Sequence, residues 1–154
     1  MDEFKIDNLK RSKPGQNFPW FRSLEPQETQ KIRQAIRAKS GIETQDSLAL
    51  VTELFGMSTA VEGLNADDEG FDLAAAVSHV RIQPGRHVYV NWYRFDRIDC
   101  MSFEDLARYF EDVWYPSSDD IDIFDDTLCW IIFIEHFGAV RLLRLGSESD
   151  HRSQ

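Results

Sequence analysis

The sequence predicts an α+β fold in which N-terminal helices pack on a mainly antiparallel β-sheet that ends in a C-terminal hairpin. Apolar residues recur at helical spacing between residues 26 and 55. β-Branched and aromatic residues dominate residues 87–95, and residues 128–134 form a nearly continuous apolar run typical of a strand covered on both faces. A turn that contains Gly138 joins this run to residues 139–144, which predicts the closing hairpin.

One domain is expected over residues 1–154, because neither an internal repeat nor an interior linker divides the chain. Residues 1–20 contain the run KRSKPG and predict a flexible basic arm, which the aromatic segment 18–21 docks onto the core. The polar residues 146–154 predict a frayed tail.

Two helices in the first third of the chain are expected to form an αα-hairpin. Pro26 begins the first, since proline in the first turn has no intrahelical hydrogen bond to lose, and Gly41 ends it. Asp46 or Ser47 caps the second helix. A third helix starts after Ser102, an N-cap residue that acidic residues follow.

The connections between these elements are less regular. Residues 62–72 are polar and contain two glycines, which predicts a loop, and residues 83–86 (QPGR) predict a turn. Residues 73–80 are apolar with weak periodicity, so a strand and a helical turn both stay open for this segment.

The composition indicates a folded protein that is not built to bind nucleic acid or a membrane. Eleven Phe, four Trp and four Tyr supply core-forming area that disordered chains lack. The net charge is −10, and residues 61–154 carry nineteen acidic and eight basic side chains, whereas residues 1–60 are nearly balanced. A field of this sign repels phosphates and anionic lipids and attracts basic proteins.

The sequence predicts a cytoplasmic protein. No apolar run approaches the roughly 20 residues that cross a bilayer, and the N-terminus lacks the basic and apolar regions of a signal peptide. Cys100 and Cys129 lie apart from any Cys or His cluster, so they are expected as buried free thiols.

The most distinctive feature is an acidic stretch, with nine acidic side chains and one basic side chain between Glu104 and Asp126. Aromatic side chains beside carboxylates suit a protein interface, in which rings supply buried area and carboxylates pair with Lys or Arg of a partner. A solvated edge that keeps the protein soluble and a metal site are the other two interpretations. The partner-binding residues that the sequence predicts are Trp114, Tyr115, Asp119, Asp120, Asp122, Asp125 and Asp126.

The motifs of metal sites and enzymes do not fit this stretch. An EF-hand loop requires an oxygen ligand where Phe124 stands, and no glycine follows it. The four histidines do not fall at metal-ligand spacing. The chain contains neither a glycine-rich phosphate loop nor a nucleophile motif, so no catalytic residue, metal or cofactor is predicted.

Residues 88–144 resemble small bacterial immunity proteins of contact-dependent and other polymorphic toxin systems. The segments that carry the resemblance are 114–120 (WYPSSDD), 124–126 (FDD), 130–134 (WIIFI) and 136–138 (HFG). Residues 1–80 do not contribute to it.

The resemblance implies a role rather than a topology. An immunity protein binds its cognate toxin domain in the cytoplasm of the producing cell and blocks the active site or the access of substrate. Nuclease toxins are commonly basic, so carboxylates of the inhibitor would stand where phosphates otherwise bind, and opposite charge would speed capture.

Two alternative functions stay open. One is a small metal-dependent hydrolase that uses the carboxylates of residues 119–126. The other is a regulatory adaptor whose partner contacts the exposed side of residues 26–39. The sequence also leaves open the oligomeric state and the order of the strands.

Overall fold

The computed structural model describes residues 1–92 and 94–146. Its strands are β1 Phe21–Ser23, β2 Thr59–Asn65, β3 His87–Asn91, β4 Ile98–Ser102, β5 Ile121–Phe124, β6 Trp130–Ile134 and β7 Ala139–Arg144. They form one sheet in the order β1-β4-β3-β5-β6-β7-β2, in which every neighbouring pair is antiparallel. The α+β class and the C-terminal hairpin that the sequence predicts are confirmed.

Helices cover both faces of this sheet. They are α1 Glu3–Ser12, α2 Pro26–Ser40, α3 Ser47–Met57, α4 Leu73–His79, α5 Phe103–Arg108 and α6 Phe110–Val113. The apolar side chains of α2 and α3 pack on one face, and those of α4, α5 and α6 pack on the other. The N-terminal helix α1 lies against α6.

The alternation of strand side chains divides the core into two clusters. Trp130 and Ile132 of β6 lie in the cluster under α4, α5 and α6, whereas Ile131 and Phe133 lie in the cluster under α2 and α3. Successive side chains of a strand point to opposite faces, so a strand covered on both faces is apolar at every position. This is the physical reason for the continuous apolar run over residues 128–134.

Both ends of α2 and the start of α3 agree with the predicted boundaries. Glu28 accepts a 2.8 Å hydrogen bond from the backbone N of Glu25 at the start of α2, and Gly41 ends that helix in the left-handed region at φ 74°. Asp46, one of the two predicted caps, accepts a 2.8 Å hydrogen bond from Ala49 N.

Residues 73–80, for which helix and strand were both open, contain the helix α4. Asp72 favours this conformation, because its Oδ1 accepts a 3.1 Å hydrogen bond from Ala75 N and so caps the helix. The helix predicted after Ser102 begins there, with Ser102 as its N-cap, but Tyr109 divides it into α5 and α6.

The structure differs from the sequence prediction in two segments. Residues 1–20 are expected as a flexible arm, yet they contain α1, since Lys5 and Leu9 are buried on the domain. Residues 62–72 are expected as a loop, yet their first four residues continue β2, which pairs with β7. Because β2 lies at the sheet edge and its register is irregular, it tolerates polar residues and glycine.

The aromatic segment at residues 18–21 is only partly docked. The rings of Phe18 and Phe21 meet edge to face at 5.9 Å between centroids and pack against the core. Trp20 is exposed and lies edge-on to the His87 ring at 6.1 Å.

Three further predictions concern the membrane, the thiols and the tail. Within residues 1–92 and 94–146, every helix is too short or too polar to cross a membrane. Cys100 and Cys129 are free thiols as predicted, although both are half-buried rather than fully buried. The predicted frayed tail lies outside the described residues, except for Gly146.

Candidate functional site

The seven predicted partner-binding residues fall into different environments, and Trp114 belongs to the core. Its side chain is 3% exposed and stacks on the Phe110 ring at 5.6 Å between centroids. The indole Nε1 donates a 2.9 Å hydrogen bond to the backbone O of Asp119. Trp114 therefore packs and fixes the turn before β5 rather than presenting a ring to a partner.

Asp119 forms an internal ion pair with Lys5 of α1. Lys5 Nζ is fully buried, donates a 2.6 Å hydrogen bond to Val113 O, and lies 4.3 Å from the Trp92 ring centroid and 4.7 Å from that of Tyr115. Burial lowers the pKa of Lys5, and the hydrogen bond to Asp119 opposes this effect. Since a buried ammonium group needs a charged partner, Asp119 holds α1 on the domain.

Asp125 connects the end of β5 to residues 83–86, the segment before β3. Its side chain is 1% exposed. Oδ2 accepts a 3.0 Å hydrogen bond from Gly85 N, and Oδ1 accepts hydrogen bonds from the N and Oγ1 atoms of Thr127 at 3.1 and 2.5 Å. All these bonds are internal, so the role of Asp125 in this structure is to order two loops.

Asp120 and Asp126 are the two predicted partner-binding residues that are exposed in the structure. Tyr115 is half-buried, as is Asp119. Asp120 precedes β5 and Asp126 follows it, so the two carboxylates lie at opposite ends of that strand. The single acidic face that the sequence predicts is therefore divided.

Asp122 lies in the interior of the sheet beside Asn91, its register partner on β3. Asp122 Oδ2 accepts a 2.7 Å hydrogen bond from Asn91 Nδ2, and Asn91 Oδ1 accepts a 3.0 Å hydrogen bond from Phe95 N. The pKa of Asp122 is raised to about 7. Desolvation is the largest cause, the Asn91 hydrogen bond opposes it, and the charge of Asp120 makes a smaller contribution in the same direction as desolvation. The carboxyl is therefore partly protonated near neutral pH.

A recess of about 220 Å³ opens beside Asp122 on the sheet face that α3 covers. We call it the Asp122 recess. Apolar walls with a few convergent polar groups are typical of ligand sites. Its lining residues are Val51, Thr52 and Phe55 of α3, and Asp120, Ile121, Asp122, Phe133, Ile134, Glu135 and His136 of the sheet and its turns.

The solvent end of the Asp122 recess carries a hydrogen-bonded Asp–His pair. Asp120 Oδ1 lies 3.0 Å from His136 Nδ1 and accepts a 2.7 Å hydrogen bond from His136 N. Burial raises the pKa of the neighbouring Glu135, with Arg141 opposing this shift and Asp120 adding to it. Three carboxyl groups thus surround one small apolar volume.

A second acidic surface extends from the edge strand β2 over the opposite face of the sheet. We call residues 62–82 and 103–113 the acidic layer. These residues carry nine acidic and two basic side chains, whereas residues 26–57, which form the other helical cover, carry four of each. The two segments are contiguous, because the Phe71 and Phe110 rings are 5.4 Å apart and α4 packs against α5.

The exposed carboxylates of the acidic layer have few internal partners. Asp112 pairs with Lys13, the residue after α1, at 2.8 Å. The salt bridges of residues 1–92 and 94–146 involve none of the seven exposed acidic residues of the layer. Those seven are Glu62, Asp67, Asp68, Glu69, Asp72, Glu104 and Glu111. Their combined field favours a cationic surface.

The sequence contains a pattern that places Asp122 in a strand, although the many acidic residues around it make the pattern hard to recognise. Residues 121–124 (IDIF) alternate apolar and acidic side chains, which is the pattern of a strand. The sequence does not show that α3 lies over the face to which Asp122 points. The acidic layer has a local signal too, since five of its carboxylates lie within residues 62–72.

Metal-dependent chemistry requires carboxylate or histidine ligands that converge on one point. In the part of the chain that the structure describes, no group of three or more His, Cys, Asp or Glu side chains could hold a metal ion.

Comparison with known proteins adds no relative. No family model, curated protein or solved structure matches the chain.

Proposed function

We propose that this protein is an acidic inhibitor of the bacterial immunity type, which binds and neutralises a basic toxin domain, such as a nuclease, in the cytoplasm of the producing cell. The observation that supports this proposal most is the one-sided charge of the acidic layer. Seven exposed carboxylates there lack an ion-pair partner among the described residues, while the α2/α3 face is balanced.

A basic partner would gain from this arrangement in two ways. Opposite charge accelerates association, because the field orients the partner before contact. A surface that normally binds nucleic-acid phosphates would meet carboxylates instead, so the inhibitor and the nucleic acid would compete for the same cations. Salt weakens both effects, because the Debye length is about 8 Å at physiological ionic strength.

Two carboxylates outside the acidic layer belong to the proposal as well. Asp120 and Asp126 are exposed, and Asp120 also accepts the hydrogen bond from His136 N. Each can pair with a basic side chain of the partner at its own end of β5. Asp119, Asp122 and Asp125 have internal hydrogen-bond partners and serve the fold in addition.

The proposal is tested by capture and by charge-neutralising variants. The chain is used at low salt to capture a partner from its native organism, and the product of the neighbouring gene is purified for titration. Asp68→Asn combined with Glu69→Gln should weaken binding roughly two- to thirtyfold, since exposed ion pairs contribute about 0.2–1 kcal/mol each. Asp120→Asn combined with Asp126→Asn should weaken it by a smaller factor.

The matched control is Glu43→Gln combined with Glu53→Gln, which removes two exposed charges from the α2/α3 face. This variant should bind with the wild-type affinity. Equal losses in the control and in the acidic-layer variant would mean that net charge alone governs binding. The absence of any basic partner would contradict the proposed function.

A further inference from the structure

The Asp122 recess contains a buried carboxyl whose hydrogen-bonding capacity is not filled. Asp122 is 7% exposed. Among residues 1–92 and 94–146, Asn91 Nδ2 is the one group that donates a hydrogen bond to this carboxyl. An ionised carboxylate accepts up to about four hydrogen bonds, so further donors can approach Asp122 from the recess that it lines.

The dimensions of the recess suit one side chain. Its volume of about 220 Å³ is below the roughly 300–1,000 Å³ that is typical of pockets for drug-sized ligands. Phe55 and Phe133 form its aromatic wall, with their rings edge to face at 5.7 Å between centroids. An apolar stem with a polar end group fits such a shape.

The charges around the recess favour a cation as that end group. Asp120, Asp122 and Glu135 contribute three carboxyl groups, and His136 is the one basic side chain among the lining residues. The residues of α3 that line the recess, Val51, Thr52 and Phe55, carry no titratable group.

The guanidinium group of Arg141 does not line the recess, so it does not pair with these three carboxyl groups there. Its Nε and Nη2 atoms donate hydrogen bonds of 2.8 Å to the Oγ and the backbone O of Ser58. Its Cζ lies 4.7 Å from the Phe55 ring centroid. The wall of the recess thus already contacts one guanidinium group, which shows that the Phe55 ring accepts such a neighbour.

We propose that the Asp122 recess receives an arginine side chain of the protein partner, with the guanidinium on the Asp122 carboxylate and the methylene stem along the wall that Phe55 and Phe133 form. This inference rests on the proposed function, because it specifies one contact of the same basic partner. The exposed Phe137, whose ring lies 5.3 Å from that of His136, extends the contact at the rim. Buried arginine anchors of this kind dominate the affinity of many interfaces.

Arginine suits the recess better than lysine for two physical reasons. The guanidinium is flat and stacks on aromatic rings, whereas an ammonium is a compact point charge. The guanidinium is also less strongly hydrated, so its transfer into an apolar recess costs less free energy.

Binding of a cation should be coupled to the release of a proton. The bound guanidinium favours the ionised carboxylate and therefore lowers the pKa of Asp122 from its value of about 7. The ionised fraction of a group with that pKa increases about tenfold between about pH 6 and about pH 8, and the affinity should increase by the same factor. Asp120, Glu135, His136 and Arg141 are the other charged or titratable groups near the recess.

The test is an NMR titration of the full chain with N-acetyl-arginine N-methylamide. Saturable shifts are expected at Thr52, Phe55 and Phe133, together with a change in the Asp122 carboxyl resonance. The uncharged citrulline analogue should give no saturable shift, and the lysine analogue should bind more weakly. The pH series should show the tenfold increase in affinity.

Three variants sharpen this titration. Asp122→Asn removes the charge with almost no change in shape, and Thr52→Trp fills the recess from an exposed position of α3 without a change in charge. Both should abolish the shifts. Glu43→Gln removes one exposed carboxylate that is not among the lining residues and should leave the shifts unchanged. Equal binding of the citrulline analogue, or retained binding in Asp122→Asn, would overturn the proposal.

The purified partner separates this inference from the proposed function. If Asp122→Asn and Thr52→Trp weaken the complex at least tenfold, the recess is occupied by the partner. If both bind normally while Asp68→Asn with Glu69→Gln still weakens binding, the recess proposal is overturned and the proposed function stands. If the wild type binds no basic partner, the proposed function fails. The proposal that a protein partner supplies the arginine fails with it.

Discussion

Asn91 of β3 and Asp122 of β5 are register partners, and their side chains share a 2.7 Å hydrogen bond inside the sheet. The same Asn91 side chain accepts a hydrogen bond from Phe95 N, in a turn where Arg94 and Phe95 adopt positive φ values of 63° and 54°. One amide therefore connects a buried carboxyl to the turn between β3 and β4. Since an unpaired buried carboxyl is costly, this bond makes the position tolerable.

The stability of the protein should decrease as the pH rises across the titration range of Asp122. Folding raises the pKa of this carboxyl from 3.8 to about 7. Between these values the folded state binds more protons than the unfolded state, so the free energy of unfolding falls with rising pH, by up to the order of 4 kcal/mol. Asp122→Asn cannot ionise. It should be about as stable as wild type near pH 4 and clearly more stable near pH 8.

Urea unfolding at the two pH values checks this prediction. Asp126→Asn, which removes an exposed carboxylate from the same region, is the control and should change stability little at either pH. A stabilisation of Asp122→Asn that is the same at both pH values would show that Asp122 does not titrate in this range.

Loss of Asp119 should destabilise the protein more than loss of Lys5. Asp119→Asn leaves the fully buried Lys5 ammonium without a charged partner, which typically costs about 3–5 kcal/mol. Lys5→Met removes the buried charge itself and keeps much of the packing against Trp92, so its cost should be smaller.

Chemical denaturation of the two variants and of Asp120→Asn measures the order. Asp120 is the exposed neighbour of Asp119 and should contribute less than about 1 kcal/mol. Similar losses for Asp119→Asn and Asp120→Asn would indicate that the ion pair with Lys5 does not hold α1 in place.

Gly138 in the β6–β7 turn should not tolerate a side chain. A Cβ atom there would lie 1.9 Å from Asn65 Oδ1 and 2.8 Å from the backbone N of Asp67, at a φ of 96°. Gly138→Ala should cost about 1–3 kcal/mol, because both the backbone and the close approach of β2 oppose it.

Gly56 supplies the matched control for thermal unfolding of this variant. It lies inside α3, and a Cβ atom there would have no other heavy atom within 4 Å. Gly56→Ala should therefore stabilise the protein by about 0.5–1 kcal/mol. A neutral Gly138→Ala variant would contradict the close packing of Asn65 on the turn.

The sequence correctly predicts the elements whose boundaries depend on residues close to them in the chain. Gly41 and Asp46 mark their helix ends through their own backbone and side-chain chemistry, which needs no distant partner. The hairpin of β6 and β7 likewise follows from two apolar runs and the turn between them. Such features depend on a few neighbouring residues and can be recognised in a single sequence.

The elements that the sequence does not predict depend on distant contacts. A lysine near the N-terminus looks like part of a solvated arm until Asp119, 114 residues further along the chain, is placed beside Lys5. Asp122 and Asp125 likewise look like members of one acidic surface. Their partners, Asn91 and Gly85, come from β3 and the segment before it. Tertiary packing thus decides which carboxylates of the acidic stretch remain available to a partner.

The affinity of the wild-type chain for its purified basic partner, measured against salt concentration, tests the central claim most directly. The acidic layer predicts that affinity falls about tenfold or more between about 0.05 and 0.5 M salt, chiefly through a slower association rate. Asp68→Asn with Glu69→Gln should show a shallower dependence, and Glu43→Gln with Glu53→Gln should follow the wild type. An affinity that does not change with salt, or one slope for all three proteins, would contradict capture by the acidic layer.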